Sequence, residues 1–326
     1  MHTEVLSADN ESAVARAVEL LRAGQAVALP TETVYGLAAD ALKPEAAARI
    51  FAIKERPHFD PLIVHLPARD WLDRVVRIPE EDRELVEQLT RRFWPGPFTL
   101  VLPRQPLIPD IVTAGLDTVA VRMSSHPVFA QVVRAFGGPV AAPSANRFGR
   151  ISPTTAQHVL DELHGRVPLI VDGGPTRIGL ESTIVAVCNG GLSILRHGPI
   201  TAEELSEHPV TQETKENGVV SAPGQLETHY APRTPLRLID DSKAFSAAPG
   251  QRVGLLAWQT PDTVTGNFAA IRILSPEGDP VKAATHLFRF LRELDALNLD
   301  LIVAEKVPEE GLGAAIMDRL RRASTL

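Results

Sequence analysis

The sequence predicts an α/β chain of two domains: a twisted, mixed-direction sheet followed by a small parallel α/β unit. Three observations carry this expectation. The chain has 326 residues, long for a single domain and enough for two separate cores. Strand-sized apolar runs alternate with amphipathic stretches up to about residue 200, and again from 235 to the end. Between them, residues 202–234 are polar, rich in Pro and Gly, and show no sustained period. The expected domains are therefore 1–201 and 235–326, with 202–234 as a linker too long for a passive tether and suited to fold over a site as a lid.

The elements follow in order. Residues 12–23 (SAVARAVELLRA) place apolar positions at helical spacing, stop at Gly24 and lead into a strand at 26–30. Pro44 opens a helix over 44–53, with Ala47, Ile50 and Phe51 on one face, so Lys54 and Arg56 fall at its C-terminal end. A buried strand PLIVHL follows. An amphipathic helix over 80–93 ends at Trp94-Pro95-Gly96-Pro97, and FTLVL at 98–102 reads as a strand. Further strands are expected at 118–123, 139–144, 168–174, 182–187 and 192–196, with helices at 127–136 and 153–163. After the linker come PLRLID, VGLLAW, FAAIRILS, a helix over 280–297, LIVAEKV and a helix over 313–323, the rhythm of a parallel α/β domain. GLGAAIMDRL imitates a dinucleotide fingerprint but lacks its third Gly. Gly311 and Gly313 are therefore read as a tight turn and a close helix contact.

Composition narrows the function. Apolar residues make up 44% and charged residues 22%, the balance of an ordinary globular protein. No run approaches the roughly 20 apolar residues of a membrane span, and MHTEVLSADNES lacks a secretory layout, so a cytoplasmic protein is expected. The formal charge of -7 argues against bulk nucleic-acid binding. The single cysteine, Cys188, excludes an intrachain disulfide; in ESTIVAVC it reads as a small buried hydrophobe. Only 6 of 33 basic residues are Lys, and just two of them, Lys43 and Lys54, precede residue 200, which singles out Lys54 behind the apolar FAI triplet.

Motifs for phosphate loops, zinc proteases, serine-nucleophile elbows and kinases are absent from the sequence. What is present is a set of hydroxyls and cations at strand ends: Thr31 and Thr33, Lys54 and Arg56, Thr118 and Arg122, Ser144 and Asn146, Ser152, Ser182 and Arg196. Taken singly, each reads as a cap or turn residue, and His65 as a satisfied core histidine. In open α/β sheets, however, strand ends are where loops converge on ligands, and this set suits an anionic one.

PTETVYGLA (30–38), KERP with PLIVH (54–65), WPGPFTLVL (94–102), TAGLDTVAVRM (113–123), APSAN (142–146), DGG with GLESTIV (172–185), LRHGPIT (195–201), HYAP (229–232) and GLGAAIMDRLRRA (311–323) together resemble the YrdC-like family in its two-domain form. The resemblance implies a YrdC-like twisted mixed-sheet domain with a ligand cavity, plus a Rossmann-like C-terminal domain. It implies a nucleotidyltransferase activity: L-threonine, bicarbonate and ATP joined into threonylcarbamoyl-AMP with release of pyrophosphate, for threonylcarbamoylation of the adenosine beside the tRNA anticodon. Lys54 and Arg56 become the catalytic cations. Thr31, His65, Arg122 and Ser182 become the threonine contacts, and Lys54, Arg56, Thr118, Ser144, Asn146, Ser152, Arg196 and Tyr230 the ATP contacts.

Under the same resemblance Mg²⁺ arrives with ATP rather than in a protein cage. The expected partners are ATP, threonine, bicarbonate and the downstream tRNA threonylcarbamoyl-transfer machinery, with only weak direct tRNA contact and no membrane. One departure stands out: Gln225, Leu226, Glu227 and Thr228 precede HYAP, where the family often places an aromatic and a basic residue. Two alternatives stay open. One is a ribosome-associated or RNA-binding module that uses the same basic concavity. The other is carbamoyl transfer from carbamoyl phosphate, which calls for zinc-finger and acylphosphatase-like modules that this sequence does not show.

Overall fold

A computed structural model describes residues 2–208, 229–260 and 267–324. The first part of the chain runs β1 (Glu4–Ser7), α1 (Ser12–Arg22), β2 (Val27–Leu29), β3 (Gly36–Asp40), α2 (Pro44–Lys54), β4 (Ile63–His65), α3 (Leu72–Val75), α4 (Glu80–Phe93) and β5 (Phe98–Pro103). It continues through α5 (Asp110–Thr113), β6 (Thr118–Arg122), α6 (Pro127–Phe136), β7 (Val140–Ala141), α7 (Ala156–Leu163), β8 (Leu169–Asp172), β9 (Thr183–Cys188), β10 (Gly191–Arg196) and α8 (Ala202–Leu205). The second part comprises β11 (Leu236–Ile239), β12 (Val253–Ala257), β13 (Ala270–Ile273), α9 (Pro280–Asp295), β14 (Leu301–Glu305) and α10 (Leu312–Ser324).

Strands β1 to β10 form one sheet in the order β1-β8-β2-β3-β7-β4-β6-β5-β9-β10. Its direction is mixed: β4 runs parallel to β6, whereas β7 runs antiparallel to both β3 and β4. Helices α1 and α6 pack Leu21, Phe129 and Val133 on one cluster with Leu29 and Val171, while α2 and α4 bury Ile50, Phe51, Leu85 and Leu89 in another. The second sheet, β11-β14-β12-β13, is parallel throughout, as its strand–helix alternation predicts. Gly311 takes φ +56, and a Cβ on Gly313 would collide with the Pro308 carbonyl, so the glycine pair serves a turn and a close contact.

Three expectations change. Cys188 is exposed, not buried: it ends β9 at the Asn189-Gly190 turn, both residues at positive φ, where the hairpin runs out of the core. The strand expected over 139–144 shrinks to Val140–Ala141, because the chain then turns to bring Ser144 opposite Gly36. Helix α7 starts three residues later than expected, at Ala156, where the Thr155 side chain accepts from the His158 amide. Strands β1 and β3 had no expected element. β3 (GLAAD) holds no β-branched or aromatic residue, so local preference is silent and its place between β2 and β7 makes it a strand. Gln225, Leu226, Glu227 and Thr228, and most of the expected lid, lie outside the described residues.

Candidate active site

The register of the central strands assembles the site. His65 is opposite Arg122 on β4 and β6, and Arg122 is opposite Thr99 on β5. Thr99 Oγ1 lies 2.8 Å from the Ser182 hydroxyl at the entry to β9. Arg196, ending β10, donates through Nε and Nη2 to the Ser182 carbonyl at 3.1 and 2.9 Å, and to its hydroxyl at 3.1 Å. Four strand ends therefore place His65, Arg122, Ser182 and Arg196 side by side. Thr31 and Thr33 come from the loop after β2, Ser144 from the turn after β7, and Arg56 from the turn after α2. His229 and Tyr230 cross over from the start of the second part. All of these line one cavity.

Arg56 reaches it because α2 ends in a left-handed residue, Glu55 at φ 54, that swings the chain inward. Its guanidinium is paired with Asp60 at 2.8 Å and donates to the carbonyls of Asp60 and Pro61. Burial pushes the Asp60 carboxyl up, against the pull of Arg56, Lys54 and Arg196. Arg122 spends its fork on the Gly96 carbonyl, the Thr33 hydroxyl and Glu32 at 2.6 Å. Glu32 also accepts from Ser124. It stays ionised, down at about 2, because Arg122 and these hydrogen bonds outweigh its burial. His65 packs its ring 4.7 Å from Phe129, and burial beside Arg122 drops it to about 3, so it is neutral at physiological pH.

Not every expected residue lines the cavity. Lys54 follows Ile50 by four positions, and the helical turn carries it inside, 1% exposed. Its ammonium donates to the carbonyls of Ser144 and Asn146, both at 2.6 Å, and so stands behind the turn that presents Ser144. Asn146 braces the same turn through the Arg147 and Arg150 carbonyls at 2.8 and 2.9 Å. Ser152 is buried and donates to Glu181, which does line the cavity. Thr118 opens β6 on the same face as Arg122 but four residues away, about 13 Å at the usual strand rise, and is not brought to the cavity wall.

Sequence reasoning passed over Glu32, Glu181 and His229 as contributors, and named Thr33 among the strand-end hydroxyls without giving it a ligand. The signal was available in part. Glu32 sits between two selected threonines, and Glu181 precedes Ser182 at a strand entry; a carboxylate buried there needs a cation partner.

The closure over the cavity is contributed by the second part of the chain. Tyr230 takes φ 64 and stacks on Phe288 of α9 with ring centroids 5.5 Å apart. Arg319 of α10 lies 5.2 Å from the Tyr230 ring centroid and pairs with Glu181 at 3.0 Å.

Comparison with known proteins is consistent across the chain. A family model described as "Telomere recombination" (Sua5, YciO and YrdC) matches residues 19–198, and one described as "Threonylcarbamoyl-AMP synthase, C-terminal domain" matches 200–325. Curated threonylcarbamoyl-AMP synthases from Pyrococcus abyssi and Bacillus subtilis are each 39% identical. They align over 94% and 97% of this chain, and over 93% and 94% of their own lengths. The structure of P. abyssi Sua5 complexed with L-threonine superposes with a TM-score of 0.87 at 36% identity, covering 99% of this chain and 98% of that one. Escherichia coli YciO shares the fold of the first part alone, at a TM-score of 0.51 and 22% identity over 61% of this chain. Sequence, fold and cavity thus agree, and the chain belongs to the two-domain threonylcarbamoyl-AMP synthase family.

Proposed function

We propose that this chain condenses L-threonine, bicarbonate and ATP into threonylcarbamoyl-AMP and pyrophosphate in the cavity bounded by Arg56, Arg122, Arg196, Ser144 and Ser182. The observation that carries this reading is the convergence of three buried guanidinium groups on one hollow, in a chain that superposes nearly end to end on a relative holding threonine. The chemistry needs such an arrangement. Threonine's amine takes up carbon dioxide, formed as bicarbonate loses hydroxide, to give a carbamate and a released proton. A carbamate oxygen then attacks the α-phosphorus of ATP, and the bond from that phosphorus to the oxygen bridging the α- and β-phosphates breaks as pyrophosphate leaves. An anion must approach an anion, so preorganised positive charge and donors do the catalysis, with no covalent enzyme intermediate. By outcome the reaction is a nucleotidyl transfer.

Arg122, already fixed by Gly96, Thr33 and Glu32 through three of its five N–H groups, offers its charge and the other two beside His65 and Thr31, the side suited to threonine's carboxylate and hydroxyl. Arg56, Arg196 and Ser144 face the side suited to phosphates, with Tyr230 as its cover. Lys54 acts from behind, setting the Ser144–Asn146 turn and adding positive potential. Mg²⁺ enters with ATP and balances phosphate charge. Among the described residues no cluster of three or more His, Cys, Asp or Glu forms a candidate cage; Glu181 on the cavity wall is committed to Arg319, and Glu32 behind Arg122 to that arginine. Among the described residues no helix is long and apolar enough to cross a membrane, and we place the reaction in the cytoplasm, with the product passed to the tRNA threonylcarbamoyl-transfer machinery. Arg56, Arg122 and Arg196 are each no more than 7% exposed, so a polyanionic backbone could not engage them as a groove, which removes the basis for the RNA-binding alternative.

The test is pyrophosphate release from purified protein given threonine, bicarbonate and ATP. Arg56→Lys keeps a cation for Asp60 but loses the fork, and Lys54→Ala unpins the Ser144 turn; each should slow release by about 10² to 10³, some 3 to 4 kcal/mol of transition-state stabilisation, with the circular dichroism spectrum unchanged. Normal turnover in both variants would refute the assignment.

A further inference from the structure

We propose that Arg319, from α10 of the C-terminal domain, is a positioning residue for the nucleotide side of the cavity, so that ATP affinity depends on how that domain is seated. The inference rests on the two-sided reading of the cavity given above. Arg319 is fully buried, an unusual state for the most hydrophilic of side chains, and its guanidinium reaches Glu181 of the first domain.

Its Nε donates to Glu181 Oε2 at 3.0 Å, and its Nη1 to Asp318 at 2.6 Å. The other oxygen of Glu181 accepts from Ser152. One carboxylate is thus held from two domains, with its two oxygens on different partners, and it stands on the cavity wall next to Ser182. The same guanidinium lies 5.2 Å from the Tyr230 ring centroid, on which it acts as a cation beneath an aromatic cover. Next to Tyr230, the amide of His229 donates to the Arg322 carbonyl of the same helix at 3.3 Å.

Of the residues tied to Arg319, Tyr230 directly and Ser152 through Glu181 are the ones read as nucleotide contacts, while Glu181 itself adjoins Ser182. The threonine side has a separate network in which Glu32, Thr33 and Ser124 hold Arg122 without a residue of the C-terminal domain. A purely structural buried arginine would affect both substrates together as the fold loosened. Arg319 as a positioning residue affects one.

The experiment measures KM for ATP and for threonine by pyrophosphate release, and binding of a non-hydrolysable ATP analogue by calorimetry. It uses the full-length protein and its Arg319→Met, Arg319→Lys and Glu181→Gln variants, together with the Arg319→Met/Glu181→Gln double variant. Arg319→Met is expected to raise the ATP KM by about tenfold or more while the threonine KM stays within about twofold. Because the effect runs through Glu181, the double variant is expected to be no worse than either single one. Arg319→Lys keeps a charge for Glu181 but loses the fork and is expected to fall between. Should Arg319→Met fail to fold, the Arg319→Lys and Glu181→Gln proteins decide the matter by the same split. Folded Arg319 variants with an unchanged ATP KM, equal rises in both KM values, or strictly multiplicative effects in the double variant would each overturn the proposal. Failure of the unmodified protein to bind the ATP analogue would instead bring down the proposed function itself, and this inference with it.

Discussion

Arg122 is committed to three acceptors before any substrate arrives, and the strongest of them, Glu32, is a carboxylate buried with it. Removing one member of such a pair leaves the other charge uncompensated, so Glu32→Gln should cost about 3 kcal/mol in urea unfolding and raise the threonine KM as Arg122 loses its orientation. Acid should act on the same cluster. Glu32 falls from 4.5 to about 2 on folding, so its contribution is complete above pH 4.5 and is lost as the pH drops toward 2. His65 falls from 6.5 to about 3, so below pH 6.5 the unfolded chain takes up a proton that the folded one refuses, and stability declines from there. Urea midpoints at pH 7, 5.5 and 4 should therefore fall in order, and in His65→Gln the loss between pH 6.5 and 4.5 should shrink. A flat profile across that range in the parent protein would contradict the buried, neutral His65. At this scale the hydroxyls and cations were legible, because small polar residues closing apolar strands are conspicuous. Their counter-ions Glu32, Asp60 and Glu181 were not, since a carboxylate in a sequence gives no sign of which distant arginine it will meet.

The elements that carry the site were legible where periodicity was strong and silent where it was not. Helix α2 shows both cases: its apolar face at Ala47, Ile50 and Phe51 was plain, but the same spacing continues to Lys54, read as an ATP contact, which is buried and pins the Ser144–Asn146 turn from behind. The β9–β10 hairpin failed in the opposite sense. Strand alternation over STIVAV suggested burial for Cys188, whereas the Asn189-Gly190 turn places it on the outside edge. The native protein should therefore react with a thiol reagent such as DTNB to one equivalent without denaturant, and Cys188→Ser should change stability by no more than about 0.5 kcal/mol. A thiol that titrates only after unfolding would show that the hairpin end is covered. Strand β3 was missed because Gly36 to Asp40 has no residue that favours a strand by itself. It is a strand because neighbours on both sides supply hydrogen-bonding partners.

For the whole molecule, the division into a mixed sheet and a parallel sheet could be read from rhythm, but the way the two meet could not. One part of their junction is the loop of residues 177–182; Arg292 of α9 also pairs with Glu162 at 3.3 Å, and the Gly311 amide donates to Glu203 at 3.2 Å. The amides of Ile178 and Gly179 donate to the Glu32 and Thr33 carbonyls at 2.9 and 3.2 Å, Thr285 of α9 donates to the Arg177 carbonyl at 3.2 Å, and Glu181 pairs with Arg319. Val34, Ile151, Leu180 and Tyr230 complete the contact by packing into the core of the C-terminal domain. Gly179 is a close-packed point of this junction. It holds φ +80, and a Cβ there would stand 2.6 Å from the Thr285 Cα and 2.7 Å from the Ala284 carbonyl oxygen, both backbone atoms that cannot swing aside. Gly179→Ala should therefore push α9 off the loop, at a cost of about 2 kcal/mol or more. Because the strain falls at the seam rather than within either core, the expected signature is specific. The radius of gyration from small-angle scattering should increase, the cooperative melt should broaden or split, and pyrophosphate release should fall as Tyr230 withdraws with α9. A variant that keeps the parent's scattering profile and turnover would mean that the loop can yield without moving the helix, and that the seam does not control the cavity.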